Sequence, residues 1–305
     1  MNNPSRREFL KKSALAVTST AILPRFIHAS GKPAEMVGVQ LYCIREEMKE
    51  DPLGSLTQLA EMGYEYVEHA NYVDRRFYGY TAGEFKKILN DLGLKMPSGH
   101  TVLGKQHWDA NRKNFTDTWK YTIEDAAAMG QQFVVSPWLD ESIRKDYDSF
   151  MAFLEVFNKS GELCQKSDMK FGYHNHDFEF SEKLNEEIMF DLMMRNTDPD
   201  KVGLQLDMGN MYIAGAKAMD VLNKYPGRFE TIHVKDMIES KEESHGYEST
   251  ILGKGVVDTR KVTDLSRKKG GTYLFIIEQE SYQGKTPMDC MKEDLDIMRK
   301  WGYKA

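Results

Sequence analysis

The stretch Lys170-Phe-Gly-Tyr-His174-Asn-His176-Asp-Phe-Glu179 is where the reading of this chain begins. Lys170 to Tyr173 combines two β-favouring aromatics with a glycine and carries no helical period, which predicts a short buried strand. Two imidazoles and two carboxylates then follow between His174 and Glu179. Side chains alternate faces along a strand, so His174 and His176 are predicted to share one. Neutral imidazole is a common ligand of divalent transition metals, and a pair at this spacing can converge on one site. A polar strand end whose histidines bond only to neighbours accounts for the same residues. Whether later strands also end in ligands decides between the two.

Outward from this stretch, strand-like and helix-like runs alternate regularly. Strands are predicted at Val37–Ile44, Tyr64–Ala70, Lys95–Val102, Phe133–Trp138, Lys170–His176, Val202–Met208, Phe229–Lys235 and Tyr273–Glu280. Amphipathic helices are predicted at Pro52–Met62, Ala82–Leu92, Phe115–Met129, Phe150–Lys166, Glu187–Asn196, Ala218–Lys224, Asp258–Lys269 and Pro287–Trp301. Gly63, Gly93, Gly130 and Gly302 stand where helix C-caps are expected. Eight βα units in one chain predict a (β/α)8 TIM barrel of a single α/β domain spanning residues 31–305. An open doubly wound sheet is the alternative, but the first βα turn has no Gly-x-Gly-x-x-Gly phosphate loop. One long irregular segment, Met237 to Gly255, follows the seventh strand and is expected to lie over the active face as a lid.

Sites on such barrels form at the carboxyl ends of the strands. Strand five ends in His174-Asn175-His176, strand six in Asp207, strand seven carries His233, and strand eight ends in Glu278 with Glu280 on the same face. Each step from 174 to 207, 233 and 278 spans one βα unit, the last enlarged by the long segment. Four consecutive strands thus offer imidazole, carboxylate, imidazole and carboxylate at equivalent depth. This mixed nitrogen and oxygen set suits manganese first, with zinc, cobalt, iron or magnesium as alternatives and calcium a poorer fit. Taken singly, Asp207 reads as a cap of the next turn and His233 as a satisfied core histidine; their coincidence at matching positions favours the metal. Lesser candidates end the earlier strands: Gln40, Tyr42, Glu68, His69, His100 and Trp138. His100 ranks first among them because Ser98-Gly99-His100 places it where strand meets loop.

Composition bounds the rest. With 305 residues, 41% hydrophobic and 29% charged, the chain is an ordinary globular sequence large enough for one barrel. A net charge of −6 gives no support for a nucleic-acid partner. Cys43, Cys164 and Cys290 are odd in number and scattered, and the expectation for Cys164 and Cys290 is a buried free thiol. At the amino terminus, Ser5-Arg6-Arg7-Glu8-Phe9-Leu10-Lys11-Lys12 precedes a modest apolar run from Ser13 to Ile27. This resembles a twin-arginine export signal over residues 1–30, which implies a mature chain starting near Gly31 and working in the periplasm. The apolar run is too short and too rich in Ser and Thr for an ordinary spanning helix, so no stable membrane association is expected after cleavage. Homo-oligomerisation is compatible with the sequence.

From Met36 to Tyr303 the chain resembles the xylose-isomerase-like TIM-barrel superfamily, whose members are often described as sugar phosphate isomerases/epimerases. The resemblance rests on Val39-Gln-Leu-Tyr42, Leu206-Asp-Met-Gly-Asn210, Ile232-His-Val-Lys-Asp236, Leu252-Gly-Lys-Gly255 and Glu278. It implies a divalent metal held by Asp207, His233 and Glu278. At the fourth position the family commonly has glutamate, and this chain has His174, which is closer to the inosose-dehydratase-like branch; His176 remains an alternative ligand. The resemblance further implies a carbohydrate substrate and removal of a proton beside a carbonyl, with an enediolate as intermediate. Glu278 is the expected base, with His176, His100, Lys235 and Glu179 as candidates for handling protons or binding hydroxyls, the histidines titrating near neutrality.

No phosphate loop or arginine pair marks a phosphate site, so an unphosphorylated sugar is expected. Reprotonation of the intermediate gives an isomerase or epimerase, the leading expectation; β-elimination or hydration on 3-keto-sugars or 3-keto-glycosides is the alternative. An endonuclease-like nuclease is disfavoured by the charge. A non-catalytic sugar binder has no use for a Lewis acid.

Overall fold

The computed structural model describes residues 33–304, so the expected leader lies outside the described residues. Eight parallel strands close into a barrel in chain order: Met36–Gln40, Tyr66–His69, Lys95–His100, Phe133–Ser136, Lys170–His174, Val202–Asp207, Thr231–Val234 and Leu274–Ile277, the last pairing with the first. The molecule is the predicted (β/α)8 barrel. Period-two alternation sorts each strand. On strand eight, Phe275 and Ile277 pack outward against the helical layer, while Leu274 and Ile276 join Met36, Phe133 and Val135 in a plug at the amino-terminal end of the barrel. Each such side chain contributes about 1.5–3 kcal/mol of burial. The same alternation carries strand eight on to Glu278 above the plug. Apolar at the bottom and polar at the top, one inward face both closes the barrel and furnishes its site.

Local chemistry sets the element ends. Asp51 accepts from Gly54 N at 3.0 Å, with Pro52 at the first helical position, and starts the helix Pro52–Met62. Thr81 and Glu84 form a capping box at the head of Ala82–Asp91. Helices Pro52–Met62 and Asp117–Met129 stop on Gly63 and Gly130, both left-handed, at φ 94° and 85°.

Several predicted strands end early, each for a visible reason. Gln40 accepts from Tyr42 N and turns the chain into the 3-10 segment Leu41–Ile44, so the first strand stops at Gln40. Strand five stops at His174, because the His176 amide is taken by Glu179 Oε2 at 2.8 Å and leaves the ladder. The helix predicted from Glu187 begins at Met189, after Glu187–Ile188 pairs with Lys183–Leu184. The one predicted from Asp258 to Lys269 ends at Leu265 and widens into a π-helical turn, Ser266–Gly270.

The segment Met237 to Gly255 is not irregular. Asp236–Glu239 pairs antiparallel with Tyr247–Thr250, and the chain then folds back over Asp236. The Asp236 carboxylate accepts from the amides of Met237, Gly253, Gly255 and Val257 at 2.8–3.1 Å. Only glycine fits at 255: a Cβ there would lie 2.2 Å from the Met237 carbonyl oxygen and 2.4 Å from Asp236 Oδ1. Smaller ribbons follow strand two (Tyr72–Val73, Arg76–Phe77, Tyr80–Thr81) and strand three (Trp108–Asp109, Asn114–Phe115). Cys43, Cys164 and Cys290 are buried and unpaired. Among the described residues no helix is long and apolar enough to cross a membrane.

Candidate active site

Above the apolar plug lies a layer of buried polar groups centred on Glu68, at the end of strand two. Its carboxylate receives Gln40 Nε2 at 2.8 Å, the Ser98 hydroxyl, Gln205 Nε2 at 2.9 Å and His233 Nε2 at 2.6 Å. Gln205 also donates to Thr231 Oγ1 at 3.2 Å, so its amide oxygen faces the other way, 2.7 Å from His100 Nε2 and 3.0 Å from His174 Nδ1. An amide oxygen only accepts, so both of those ring nitrogens carry hydrogen. His174 Nε2 is thereby left without hydrogen, 3.5 Å from Asn210 Nδ2 and 3.8 Å from Asp207 Oδ2. Sequence reasoning gave Glu68 no more weight than ordinary packing and missed Gln205. For Gln205 the signal is parity: it lies two residues below Asp207, on the same inward face of strand six.

On this layer stand the four predicted ligand residues. His174, Asp207, His233 and Glu278, all buried, each offer one donor atom, and these atoms lie within 4.8 Å of one another. Asp207 Oδ1 accepts from the amides of Gly209 at 2.8 Å and Asn210 at 2.7 Å, capping the turn Met208–Ile213. Its Oδ2 is buried without a hydrogen-bond partner, 3.8 Å from His174 Nε2, 4.0 Å from His233 Nδ1 and 3.8 Å from Lys235 Nζ. His233 Nδ1 also lies 2.9 Å from Glu278 Oε2. An anionic oxygen denied hydrogen bonds and faced by two imidazoles and a second carboxylate is costly alone and suited to a divalent cation.

Charge in this cluster is balanced by close pairing. Burial alone would lower His233, but Glu278 and Glu68 on its two nitrogens outweigh it and raise it to about 10. Burial would likewise raise Glu68, yet His100 and His233 hold it down at about 2. Glu278 is kept well below the usual carboxylate range by Lys235 and His233, despite burial. Burial pushes Asp207 up to about 7, with Lys235 opposing and Glu278 reinforcing the rise. The two carboxylates that face each other across the cluster therefore do not ionise with equal ease. A dication beside Asp207 Oδ2 would remove that conflict and take the place of the His233 Nδ1 proton, with Glu68 retaining Nε2–H. The donor set fits a metal of the manganese, iron, cobalt or zinc kind.

The cluster opens into a cavity of about 1030 Å³ bordered by His100, His174, His176, Asn210, Glu278 and Glu280, with Trp138 and Tyr42 nearer the rim. Although strand five ends at His174, His176 borders the same cavity, its ring 5.2 Å from that of His174. Its Nδ1 is buried and unpaired. Burial lowers His100, and lowers His176 to about 4. The expectation that these two titrate near neutrality is corrected: both are neutral at pH 7, because the cavity wall excludes the water that would solvate an imidazolium.

Lys235 is buried and stays charged. Burial opposes its charge, but Glu278, Glu280 and Asp207 raise it well above the ordinary lysine value. Its Nζ bonds Glu280, Asn210 Oδ1 at 3.1 Å and Glu278 Oε2 at 3.4 Å. Glu179 does not border the cavity. It is buried behind strand five, where it holds the Tyr173 hydroxyl and the His176 amide, and burial raises it to about 8. His69 is also set apart, its ring edge-on to Phe77.

Comparison with known proteins agrees with this architecture. A profile described as "Xylose isomerase-like TIM barrel" matches residues 56–301. An inosose dehydratase of Bacillus licheniformis is 28% identical over 173 residues, covering 51% of this chain and 57% of the relative. One from Geobacillus thermodenitrificans is 31% identical over 139 residues, 42% of this chain and 46% of the relative. The chain thus spans about half the length of the curated relatives it matches. Among solved structures, a sugar phosphate isomerase/epimerase from Parabacteroides distasonis superposes with a TM-score of 0.74 at 25% identity, covering 89% of this chain and 96% of that one.

Proposed function

The chain belongs to the xylose isomerase-like TIM-barrel family, and from that premise we propose that it is a divalent-metal-dependent carbohydrate lyase or dehydratase. It removes a proton beside a sugar carbonyl and expels an oxygen substituent from the next carbon. The observation that carries the reading is the partnerless Asp207 Oδ2, set among His174, His233 and Glu278. When bound, the metal supplies Lewis acidity to the carbonyl oxygen. Asp207, His233 and Glu278 would hold it, with His174 Nε2 as the fourth donor.

The protein's own groups do the remaining work. Glu278 stays ionised and borders the cavity, so it is a ready acceptor for the proton beside the carbonyl. Lys235 keeps its ammonium beside Glu278 and Asn210, where it offsets negative charge growing on a substrate oxygen. His176 borders the cavity as a neutral imidazole, able to hydrogen-bond the substituent oxygen that departs. Strand five offers imidazoles where two-base inversion needs a carboxylate, and this favours elimination over epimerisation.

A second reading, isomerase or epimerase on an unphosphorylated sugar, is favoured by one feature. Asp177 borders the cavity and supplies a carboxylate on the strand-five side. Incubating manganese-loaded protein in deuterated water with 3-keto-glucosides and with free ketohexoses, followed by NMR, separates the two. Release of the glycosidic substituent is expected; deuterium exchange and interconversion of the free ketoses, with the keto-glucosides unchanged, would establish the second reading instead.

We also propose that the protein acts after export through a twin-arginine pathway, on the strength of Arg6-Arg7 and the following Phe9-Leu10-Lys11. Cell fractionation of the wild type and of Arg6→Lys/Arg7→Lys is the test. Periplasmic protein that the double substitution retains in the cytoplasm is expected, and cytoplasmic wild type would refute the proposal.

A further inference from the structure

Among the described residues seven large apolar side chains are well exposed, and five of them line the one cavity above the metal-ligand cluster: Tyr42, Val73, Val102, Tyr121 and Trp138. Their distribution around the barrel is one-sided. Tyr42 follows strand one, Val73 strand two, Val102 and Tyr121 strand three, and Trp138 strand four. The four predicted ligands end strands five to eight. The rim is therefore divided into a reacting half and an apolar half, and a ligand that spans the cavity meets both.

The apolar half is built rather than merely left uncovered. Trp138, 43% exposed, is fixed edge-on against His176 at 5.0 Å and Phe178 at 5.4 Å between ring centroids. A group resting on the indole therefore sits beside a cavity-lining imidazole. The Arg45 guanidinium lies 4.6 Å over the Tyr42 ring. Arg75 lies 4.3 Å over Tyr121 and is itself clamped by both oxygens of Asp125 at 2.7–2.9 Å. These rings are held in place before any ligand arrives, which lowers the ordering cost of binding. A single sugar ring offers an apolar C–H face that one aromatic side chain covers, and the five exposed apolar side chains spread over four strands exceed that need. The volume agrees: about 1030 Å³ is at the upper end of pockets that enclose drug-sized ligands, about 300–1,000 Å³.

We propose that the half of the rim over strands one to four is a subsite for a planar aromatic group attached through oxygen to the sugar, so that the substrates are aryl 3-keto-glycosides rather than free sugars. The proposal rests on the carbohydrate reading above and extends it to the leaving group. It is tested by binding without turnover. Isothermal titration of the manganese-loaded protein is carried out with 2-naphthyl β-glucoside, methyl β-glucoside and 2-naphthol, on the wild type, Trp138→Ala and Tyr42→Ala. Both side chains are more than two-fifths exposed, so their truncation leaves the core in place. The expected result is at least tenfold tighter binding of the naphthyl than of the methyl glucoside, with that ratio falling below threefold in Trp138→Ala. Equal affinity for the two glucosides, no measurable binding of the naphthyl glucoside, or a ratio that survives both substitutions would overturn the subsite. If 2-naphthol alone binds as tightly as its glucoside and with the same dependence on Trp138, the subsite stands while the carbohydrate reading falls.

Discussion

At Asp207 the two carboxylate oxygens have separate tasks: Oδ1 caps a turn through two amides, and Oδ2 faces His174, His233 and Lys235 without a hydrogen bond to any of them. Asp207→Asn therefore keeps the cap while losing the anionic donor. It is expected to lower manganese affinity by at least tenfold in isothermal titration and to leave the metal-free protein at least as stable, because the amide carries no buried charge. Asp207→Ala loses the cap as well, about 1 kcal/mol, and should melt lower than the Asn variant with metal absent. Glu68→Gln tests the layer beneath. Gln fills the same space but no longer offers a carboxylate to His233 Nε2–H, and metal affinity should fall on the order of tenfold, with circular dichroism unchanged. The clustering of His174, Asp207, His233 and Glu278 was legible because each stands at or near a strand end with a chemically unusual side chain. The roles of Glu68 and Gln205 were not, since a carboxylate or amide buried within the barrel is told from an ordinary strand residue only by what other strands place beside it.

The hairpin after strand seven and the loop that closes over Asp236 act as one element. Asp236 gathers three amides from that loop and the amide of Met237 beside it, and hydrogen bonds to a charged group contribute about 1.5–3 kcal/mol each. Asp236→Ala is expected to lower the urea-unfolding free energy by roughly 3 kcal/mol. The tip, Ser240 to Gly246, is different: it touches the cavity only through His245. Replacing the tip with a two-residue turn should reduce kcat/KM at least fivefold while the melting temperature moves by under about 3 °C, a shift of under about 1 kcal/mol. An unchanged rate would remove the tip from the site. Length and position of this segment were readable in the sequence, whereas its hairpin form was not. Its strands are short, and the closure depends on one buried carboxylate meeting amides from residues 253 to 257.

For the molecule as a whole, the barrel was legible because eight apolar runs alternate with eight amphipathic ones. The strand ends were less so, because local side-chain bonds such as those of Gln40 and Glu179 compete with the ladder. Buried carboxyl groups also shape the pH dependence of folding. Burial raises Glu179 and Asp294 to about 8, so the folded state keeps protons that the unfolded chain releases above its ordinary carboxylate value. Their contribution is fully present below about pH 4.5 and is lost as pH rises toward 8. His69 and His176, lowered to about 3 and 4, act the other way, but only as pH falls below about 6.5. Metal-free protein is therefore expected to lose stability between pH 6.5 and 8.5 in urea titrations. Glu179→Gln should flatten that decline.

The central claim is the metal site formed where four strands end, and the most direct measurement is anomalous diffraction from a manganese-soaked crystal. The predicted result is a single strong peak per chain bonded to His174 Nε2, Asp207 Oδ2, His233 Nδ1 and a Glu278 oxygen, with His233 Nε2 still on Glu68. A peak elsewhere, or none at this cluster with the crystal otherwise intact, would contradict it.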